Sequence, residues 1–559
     1  MKISLAEINS KVGDLVYNSQ LIIKHAQTAL KQEAEILITP ELSLCGYPPE
    51  DLLLENEFVE KCHYYLIQIA KKFPKLFIIV GYPRKHNRFL FNSIAVLYSG
   101  KIYKTYDKQK LPNYGVFDEK RYFSEGNKAG ILKFKTKKIG LLICEDIWKD
   151  GPLEKLNELN ADYVICVNAS PYEFNKIKNK INLVQKKLNK LNIKFLFYLN
   201  CVGGQDELLF DGSSFITQPK RYCSRELPFI SEAFVSKNII ADISDENNLK
   251  ITTKNETFPY HRKILTDPIN MSDIFDEDKY HIYNLLNGLI LSMKDYVDKN
   301  NIKKLFLGIS GGIDSAVVLF IASKVVKKQN LTAIMMPSIY TSQDSLDDAK
   351  KITSNLGVNY KIFPIKKHIK LFETSFKKDF SGLENDITEQ NIQARIRGIV
   401  LMAYANKFNG MVLATGNKSE NAVGYSTIYG DMVGGFSVLK DVPKTMVYKL
   451  ANEINYKENI IPQRIIHRAP SAELTKDQTD QDTLPAYEVL DEIIDLHIEK
   501  NFSEKELINT GFSAKLVKKV VKLVKMNEFK RRQSAPGPKI TSKAFGKDRR
   551  YPITNKFRL

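Results

Sequence analysis

The sequence predicts an α/β protein with two large domains, a layered α/β sandwich followed by a doubly wound parallel sheet. The chain has 559 residues, too many for a single hydrophobic core. In both halves, short apolar runs of strand length alternate with segments of helical periodicity. A polar, irregular stretch with Pro259 and Pro268 separates the halves. We therefore assign residues 1–265 and 281–559 to the two domains and residues 266–280 to a linker.

The first half begins with an alternating strand at residues 2–8 and an apolar-periodic helix at residues 20–32. Six more strands are predicted at residues 35–39, 75–80, 93–98, 138–143, 163–168 and 195–200. Strands interleaved with helical segments are typical of sheets covered by helices. Residues 240–280 lack this periodicity, and we interpret them as a polar junction.

The second half repeats the strand–helix–strand order of a doubly wound sheet. The predicted elements are helix 278–299, strand 304–309, helix 316–328, strand 331–336, helix 344–356, strand 359–364 and strand 411–415. Asp386 and Glu389 have the spacing of a capping box at the start of a further helix. We expect that helix to bury one apolar stripe, formed by Ile392, Ile396, Ile399 and Ala403.

Composition limits the class of protein. Hydrophobic residues make up 43% of the chain and charged residues 26%, as in soluble globular proteins. No apolar run reaches the length of a membrane span, and Glu7 and Asp14 interrupt the region where a signal peptide is apolar. The six cysteines include no C-x-x-C pair, and the eight histidines show no ligand spacing. We therefore expect a cytoplasmic protein without a disulfide framework or a zinc site.

The net charge of +19 allows a polyanionic partner. Much of this charge lies in Lys-rich segments such as residues 176–194, which we interpret as solvated faces. The basic C-terminal stretch contains Phe545, Tyr551 and Phe557 but no recognisable RNA-binding module. A phosphate-rich small substrate explains part of the excess. We expect no nucleic-acid or membrane partner, and an RNA-binding protein stays as the alternative.

A glycine-rich turn in the second half indicates a phosphate site. The glycines at 311 and 312 let backbone amides approach an anion, and the helix N-terminus that follows adds donors and partial positive charge. Asp314 is itself an anion, so it suits this place if a divalent cation lies between it and the phosphates. The chain contains no Walker motif. A purely structural glycine turn is the alternative.

The S-G-G-x-D-S pattern of this turn resembles the PP-loop of ATP pyrophosphatases, which split ATP into AMP and pyrophosphate. The resemblance implies an adenine nucleotide alpha hydrolase-like domain. It assigns ATP binding to Gly308, Ile309, Ser310, Gly311, Gly312, Ile313, Asp314 and Ser315.

A second candidate centre lies in the first half. The predicted strand 138–143 runs into Cys144, the position of a nucleophile elbow. We expect the helical turn after Cys144 to favour its thiolate. Glu41 follows one predicted strand, and a loop farther along carries Lys108 and Lys110, either of which could be the catalytic lysine. A buried structural cysteine is the alternative.

Glu, Lys and Cys in this order, each at a strand end, resemble the nitrilase (carbon–nitrogen hydrolase) superfamily. The resemblance covers the whole first domain and implies an α-β-β-α sandwich. It implies that Glu41 is the general base and later activates water. Cys144 would attack an amide carbonyl to form a thioester, and a lysine would stabilise the oxyanion. The family spacing K-x-x-L favours Lys108 for that role.

The two halves together resemble the glutamine-dependent NAD synthetase family. The match includes residues 41–53, 111–123 and 168–171 of the first domain. By this resemblance glutamine would contact Tyr47, Tyr114, Glu119 and Ser170. A carboxylate such as Glu119 suits the α-ammonium group of glutamine. Singly, each polar residue could instead be a helix cap or part of a solvated loop.

In the second domain the resemblance extends over residues 415–420, 442–445, 469–474, 530–533 and 546–550. Further ATP contacts would come from Thr415, Lys444 and Ser471. Deamido-NAD would contact Asn391, Arg395, Glu420, Tyr425, Ser426, Thr427, Ile428 and Lys530. Mg²⁺ would bind Asp314 and Glu420.

The reaction implied by this family has two sites. Glutamine is hydrolysed to glutamate and ammonia at Cys144, and the ammonia crosses to the PP-loop domain through the protein. There the nicotinate carboxylate of deamido-NAD attacks the α-phosphate of ATP, and ammonia then displaces AMP to give NAD. The family also implies a homo-oligomer, commonly an octamer.

Another PP-loop amidotransferase, such as a GMP or asparagine synthetase, is the rival enzyme, but those use other glutaminase types. A catalytically dead scaffold is disfavoured because every catalytic position is filled.

Overall fold

The computed structural model describes residues 1–220, 228–246, 249–255, 277–456, 459–475 and 478–557. The chain forms two compact units, Met1–Thr266 and Asp267–Leu559. Cys223 and residues 266–276 of the predicted linker lie outside the described residues. The thiols of Cys45, Cys62, Cys144 and Cys166 are free. Among the described residues, no helix has the length and apolar composition of a membrane span.

The first unit is built on two large sheets. Its strands are β1 (Lys2–Glu7), β2 (Ile36–Ile38), β3 (Phe77–His86), β4 (Phe89–Tyr98), β5 (Lys101–Asp107), β6 (Gly130–Phe134), β7 (Lys137–Ile143), β8 (Tyr163–Asn168), β9 (Phe195–Asn200), β10 (Val202–Gln205), β11 (Leu208–Asp211), β12 (Phe215–Thr217), β13 (Phe229–Ile230), β14 (Lys237–Asp242) and β15 (Lys250–Asn255). One sheet has the order β15-β14-β1-β2-β3-β4-β5 and the other β13-β12-β9-β8-β7-β6, with β10 and β11 forming a hairpin.

These sheets pack face to face and are covered by helices on their outer sides. The helices are α1 (Leu15–Lys31), α2 (Asn56–Lys72), α3 (Glu145–Trp148), α4 (Pro152–Glu158) and α5 (Ile177–Leu188). A central core joins residues of both sheets, among them Ile38 and Ile143. Two outer cores join α1 and α2 to the first sheet and α4 and α5 to the second. The predicted α-β-β-α sandwich is thereby confirmed.

Parallel strands in each sheet determine where the first centre lies. Strands β1, β2 and β3 run parallel, as do β7, β8 and β9. The carboxyl ends of each trio therefore meet at one sheet edge. Strands β14 and β15 correct the prediction of an irregular junction after residue 240. β14 pairs antiparallel with β1, and β15 pairs antiparallel with β14 and completes the first sheet.

The second unit contains one parallel sheet. Its strands are β16 (Leu305–Gly308), β17 (Leu331–Met335), β18 (Asn359–Ile362), β19 (Met411–Ala414) and β20 (Phe436–Ser437), in the order β18-β17-β16-β19-β20. All four pairings are parallel. The chain moves outward from β16 to β18 and then returns to the other side of β16. The switch point between β16 and β19 is where doubly wound folds bind ligands.

The helices of this unit are α6 (Glu277–Lys299), α7 (Ile313–Val325), α8 (Gln343–Leu356), α9 (Lys366–Phe376), α10 (Ile387–Phe408), α11 (Lys418–Val423), α12 (Lys444–Ile454), α13 (Gln463–His467), α14 (Tyr487–Ile494), α15 (Glu504–Asn509), α16 (Ala514–Met526) and α17 (Glu528–Arg531). Helix α7 begins at Ile313, three residues before its predicted start, so Asp314 lies in its first turn. A carboxylate is favoured there because it faces the positive end of the helix dipole.

Helix α10 confirms one prediction and corrects another. Asp386 and Glu389 form the expected capping box. The predicted buried stripe is wrong at two positions, because Ile399 is 63% exposed and Ala403 is also exposed. Apolar residues occur all around this helix, so their spacing alone did not identify the buried side. The face that packs on β16 and β19 contains Ile396, Val400, Leu401 and Ala405.

Candidate active sites

Cys144 follows β7 at the edge where the ends of β7, β8 and β9 meet. Its φ is +46°, a left-handed value that residues other than glycine seldom adopt. The Cys144 N–H donates to the carbonyl oxygen of Val167 at 2.9 Å, which continues the β7–β8 ladder past the end of the strand. Backbone strain of this kind costs about 1–3 kcal/mol and persists where the surroundings hold it. The geometry is that of the predicted nucleophile elbow.

Three charged side chains form a buried cluster in this unit. Lys108 Nζ lies 2.7 Å from Glu41 Oε1 and 2.8 and 2.9 Å from the two oxygens of Glu119. All three side chains are buried, the lysine completely. The second Glu41 oxygen accepts the N–H of Ala169 at 2.9 Å. Of the two candidate lysines, Lys108 is the one that the structure brings to Glu41.

Burial and the neighbouring charges together shift the pKa values of these groups. Desolvation raises the pKa of Cys144 well above its ordinary value, and the negative charge of Glu41 raises it further. The expectation that the helical turn favours a thiolate is therefore wrong, because α3 spans only four residues and desolvation dominates. Burial also raises the pKa of Glu119 to about 7. Burial alone would lower the pKa of Lys108, but Glu119 and Glu41 together raise it well above its ordinary value.

Asn92 is a member of this cluster that sequence reasoning missed. Its side-chain amide donates to Glu41 Oε1 at 2.7 Å and to Glu119 Oε2 at 3.3 Å. Its own signal in the sequence is slight: a single amide at the start of the apolar run of β4. A polar residue inside a buried strand has to find a partner, which is the clue that could have identified it.

Asp146, also missed, joins the turn at Cys144 to the loop that carries Lys108. Its Oδ1 atom accepts the backbone N–H groups of Gln109 and Lys110 at 3.0 and 2.8 Å. Its Oδ2 atom accepts the Tyr106 hydroxyl at 2.7 Å and the Ile143 N–H at 3.0 Å. Burial raises the pKa of Asp146 to about 6. One carboxylate thereby fixes the loop of Lys108 against the turn of Cys144.

The four predicted glutamine-binding residues lie around the same cluster. Tyr47 donates its hydroxyl to Glu119 Oε1 at 3.0 Å, so both residues belong to the buried network. Tyr114 is half exposed and donates to Glu145 Oε2 at 2.9 Å, next to Cys144 in the chain. Ser170 follows Ala169, and its hydroxyl accepts a hydrogen bond from Lys180 Nζ at 3.0 Å.

The second centre is a cleft at the switch point of the parallel sheet. It is lined by residues 308–315, Thr415, Glu420, Tyr425, Ser426, Lys444 and Ser471. Gly311 has φ +80°, and a Cβ atom there would lie 2.7 Å from the Ser345 carbonyl oxygen. Only glycine fits this turn. Hydroxyls of Ser310 and Ser315 lie 3.2 Å apart, and the Gly312 N–H donates to Ser310 Oγ at 3.2 Å.

Asp314 lies at the centre of the charged groups in this cleft. It accepts a hydrogen bond from Asn417 Nδ2 at 2.9 Å and forms an ion pair with Lys444. Glu420 Oε1 lies 3.6 Å from the same ammonium group. Burial would lower the pKa of Lys444, but Asp314 and Glu420 raise it overall. Burial, with the neighbouring charge of Asp314, raises the pKa of Glu420 to about 8. Two carboxylates therefore converge on one cation position.

Comparison with known proteins covers both centres. Residues 2–233 match the carbon-nitrogen hydrolase family model, and residues 285–534 match the NAD synthase model. A glutamine-dependent NAD(+) synthetase of Acinetobacter baylyi is 42% identical over 100% of this chain and 99% of its own. The chain belongs to the glutamine-dependent NAD(+) synthetase family.

Two further members of the NAD(+) synthetase family agree over the full length. The Aquifex aeolicus protein is 39% identical, with 100% of both chains covered. The structure of the Acinetobacter baumannii synthetase in complex with ADP is 38% identical, has a TM-score of 0.76, and covers 99% of this chain and 98% of that one.

In this NAD(+) synthetase family member, the residues predicted to contact deamido-NAD fall into two groups. Glu420, Tyr425 and Ser426 line the cleft. The others lie outside the described lining of the cleft: Asn391, Arg395, Thr427, Ile428 and Lys530. Among them, the Thr427 hydroxyl donates to Asn391 Oδ1 at 2.8 Å, and Arg395 Nε donates to the Ile428 carbonyl at 3.3 Å.

Lys530 contacts the same loop from another side. Its ammonium group donates to the carbonyl oxygens of Gly424 and Ser426, both at 2.7 Å. Lys530 thus fixes the backbone between two cleft-lining residues, Glu420 and Ser426.

A hydrogen-bonded ring that the sequence did not reveal supports the charged groups of the cleft. Asp491 accepts the Ser419 hydroxyl through one oxygen. Its other oxygen accepts the Thr445 N–H at 2.9 Å and the Thr445 hydroxyl at 2.8 Å. The Lys444 N–H donates to Ser419 Oγ at 2.8 Å and closes the ring. Since Glu420 follows Ser419 and Lys444 precedes Thr445, Asp491 fixes the N-termini of α11 and α12 to each other.

Proposed function

We propose that this protein makes NAD(+) from deamido-NAD(+), ATP and glutamine. One observation carries the proposal: a complete Glu–Lys–Cys centre in the first unit and a complete PP-loop centre in the second occur in one chain that aligns end to end with named synthetases. Neither centre alone requires the other, whereas an amidation driven by ATP and supplied with glutamine nitrogen requires both.

In the first unit, Glu41 acts as the general base. The buried Cys144 thiol is protonated at rest, so it needs a base before it can attack. Glu41 takes the proton, and the sulfur forms a bond to the amide carbonyl carbon of glutamine. Lys108 Nζ donates to the developing oxyanion. The carbon–nitrogen bond breaks, ammonia leaves, and a water activated by Glu41 hydrolyses the thioester to glutamate.

Glu119 holds the catalytic lysine in this scheme. Both of its oxygens lie within 2.9 Å of Lys108 Nζ, which supports a positioning role. Contact of Glu119 with the α-ammonium group of glutamine stays a prediction. Ser170 and Lys180 together offer a hydroxyl and a cation, which suit the α-carboxylate of that substrate.

In the second unit, the PP-loop binds the phosphates of ATP. The backbone N–H groups of the Gly311–Gly312 turn and the hydroxyls of Ser310 and Ser315 provide donors, and Lys444 provides charge. The nicotinate carboxylate of deamido-NAD(+) attacks the α-phosphorus, and pyrophosphate leaves. Ammonia from the first unit then attacks the acyl carbon, AMP leaves, and the amide of NAD(+) results. The ADP complex of the related Acinetobacter baumannii protein supports an adenine nucleotide site.

Asp314 and Glu420 fit a magnesium ion. Two convergent carboxylates match its preference for oxygen ligands and for only one or two protein carboxylates beside substrate phosphates. Asp314 and Glu420 would hold the ion, which would supply positive charge against the phosphates. Thr415 and Ser471 provide further contacts to ATP. The contacts to deamido-NAD(+) are proposed for Asn391, Arg395, Thr427, Ile428 and Lys530.

We also propose that the protein is a homo-oligomer, with an octamer as the expected size. Exposed apolar side chains on α9, on α10 and between them support self-association: Leu371, Leu383, Ile387 and Ile399 are all more than 60% exposed. Large apolar side chains left in water are candidates for burial between subunits. Leu383→Asp with Ile399→Asp should reduce the molar mass measured by light scattering and leave glutamine hydrolysis intact. An unchanged mass would refute this interface.

Replacement of the nucleophile tests the two-site function. Cys144→Ala should abolish NAD(+) synthesis from glutamine and preserve synthesis from ammonium chloride. Asp314→Ala should abolish both and retain glutamine hydrolysis. If Cys144→Ala leaves the glutamine reaction unchanged, or removes both reactions in a folded protein, the two-site function is refuted. With ¹⁵N-glutamine and excess unlabelled ammonium, direct transfer predicts NAD(+) enriched in ¹⁵N.

A further inference from the structure

Asn92 contacts every charged member of the glutaminase cluster. Its side-chain Nδ2 donates to Glu41 at 2.7 Å and to Glu119 at 3.3 Å. Its backbone carbonyl accepts the N–H of Lys108 at 2.9 Å. Strand β4 holds the residue in place through its pairing with β3 and β5, and the residue is 1% exposed. A single rigid residue therefore links the proposed base, the lysine and the second carboxylate.

The charge balance of the cluster explains why a neutral amide suits this position. Glu41 and Glu119 are two buried carboxylates that share one ammonium group. Two negative charges held against the same ammonium group repel each other, so the ionisation of both carboxylates at once is unfavourable. An amide N–H pair between them supplies donors without adding charge. A carboxylate in place of Asn92 would put three acids against one buried cation.

The oxygen of the Asn92 amide lowers the stability of the fold, because it is buried without a partner in the described part of the chain. Asn92 Oδ1 is buried and has no hydrogen-bond partner among the described residues. An unpaired buried acceptor costs about 1–3 kcal/mol. Buried polar atoms left unpaired in a native fold call for an explanation, and a functional role of the paired end is one. Here the paired end faces the two carboxylates.

We propose that Asn92 is a positioning residue for the general base, an assignment that rests on the proposed glutaminase function. It directs the Glu41 carboxylate and holds Glu119 apart from it, so that Glu41 rather than Glu119 receives the proton of Cys144. The lysine loop is held in register by the same residue through its carbonyl oxygen. Substrate is not contacted by Asn92 in this assignment.

Steady-state glutamine hydrolysis by Asn92→Ala in the full-length protein tests this role. The kcat should fall by about 10²-fold, as for a misplaced general base, with KM changed by less than about threefold. The acid limb of the pH–rate profile should move to higher pH, because a carboxylate that loses a donor holds its proton more tightly. Asn92→Asp should lose more activity than Asn92→Ala. Asn92→Ser, which keeps a small donor, should recover part of the loss.

A matched control separates this role from simple packing. Asn238 is also a fully buried strand amide, but it bonds to Ser4 and His25, away from the cluster. Asn238→Ala should leave kcat and the acid limb unchanged. Ammonium-dependent NAD(+) synthesis should persist in every variant and reports folding of the chain. Wild-type kcat with an unshifted acid limb in Asn92→Ala, or no gain from Asn92→Ser, overturns the assignment. Cys144→Ala tests the proposed glutaminase function itself. A failure of that function can therefore be distinguished from a failure of the Asn92 assignment.

Discussion

Lys108 donates to both carboxylate oxygens of Glu119, at 2.8 and 2.9 Å, in a site closed to solvent. Removing one partner of a buried ion pair leaves the other charge uncompensated. In Glu119→Gln the ammonium group has only Glu41 as a carboxylate partner and should move towards it.

We therefore expect Glu119→Gln to lower kcat for glutamine hydrolysis by about 10²-fold, since both the oxyanion donor and the base are displaced. Rates measured with glutamine and with ammonium chloride provide the comparison, and only the first should fall. Glu125→Gln is a matched control in the same loop, because Glu125 forms an exposed pair with Lys120. Equal rates of glutamine hydrolysis by Glu119→Gln and Glu125→Gln would contradict the positioning role of Glu119.

The alkylation of Cys144 should report its raised pKa. The thiolate is the reactive form, so iodoacetamide should react slowly at neutral pH and faster only as the pH rises through that value. In Glu41→Gln a negative neighbour is removed, and the midpoint of the alkylation profile should move to lower pH. Glutamine hydrolysis should be lost in the same variant. A midpoint that stays in place would mean that Glu41 does not act on the thiol.

Asp146→Asn should uncouple the nucleophile turn from the lysine loop. The two carboxylate oxygens of Asp146 accept hydrogen bonds from four donors, whereas an asparagine has only one acceptor oxygen. Each donor left unsatisfied costs about 1–3 kcal/mol. Calorimetry should show a lower unfolding temperature, and glutamine hydrolysis should fall while ammonium-dependent synthesis remains. Asp150, an exposed acid close by, provides the control Asp150→Asn, which should change neither.

Asp491→Ala should impair the synthetase alone. Without this carboxylate, α11 and α12 are no longer fixed at their N-termini, so Glu420 and Lys444 lose their spacing around Asp314. We expect ammonium-dependent kcat to fall by about 10-fold or more, and adding Ser419→Ala should cost little extra because both act in one ring. Glu488→Gln, on an exposed face of the same helix, should be silent. Additive losses in the double variant would argue against the ring.

Gly311→Ala should abolish ATP-dependent amidation and retain glutamine hydrolysis. Alanine would place a Cβ atom 2.7 Å from the Ser345 carbonyl oxygen, at a φ of +80°. Gly382 has almost the same φ, +82°, but a Cβ atom there meets nothing within 4 Å. Gly382→Ala is therefore a control for strain alone and should keep most activity. Similar losses in both variants would show that φ, not the close approach, is decisive.

The sequence predicted elements whose signal is local. The strand that ends at Cys144 and the β16–α7 turn have short-range patterns of apolar runs and glycines, and both lie where expected. Strands β14 and β15 were missed because their place in the sheet depends on pairing between distant segments: β14 pairs with β1, and the polar edge strand β15 pairs with β14.

Contacts between distant segments could not be predicted from the sequence. Asn92, Asp146 and Asp491 bond to Glu41, Gln109 and Ser419, which are 51, 37 and 72 positions away, and no spacing rule reports such pairs. The ionisation of Cys144 was predicted in the wrong direction for a related reason. The turn after it was visible, whereas the desolvation that governs its pKa depends on the packing of two sheets.

Burial of the Cys144 thiol also affects its chemistry with molecules other than glutamine. A protonated, desolvated sulfur is a poor target for hydrogen peroxide and for small electrophiles, so the enzyme should tolerate oxidative stress that inactivates exposed thiolate enzymes. Covalent inhibitors should need a glutamine-like body that first occupies the site and engages Glu41. Selectivity would then come from recognition before bond formation, not from the reactivity of the warhead.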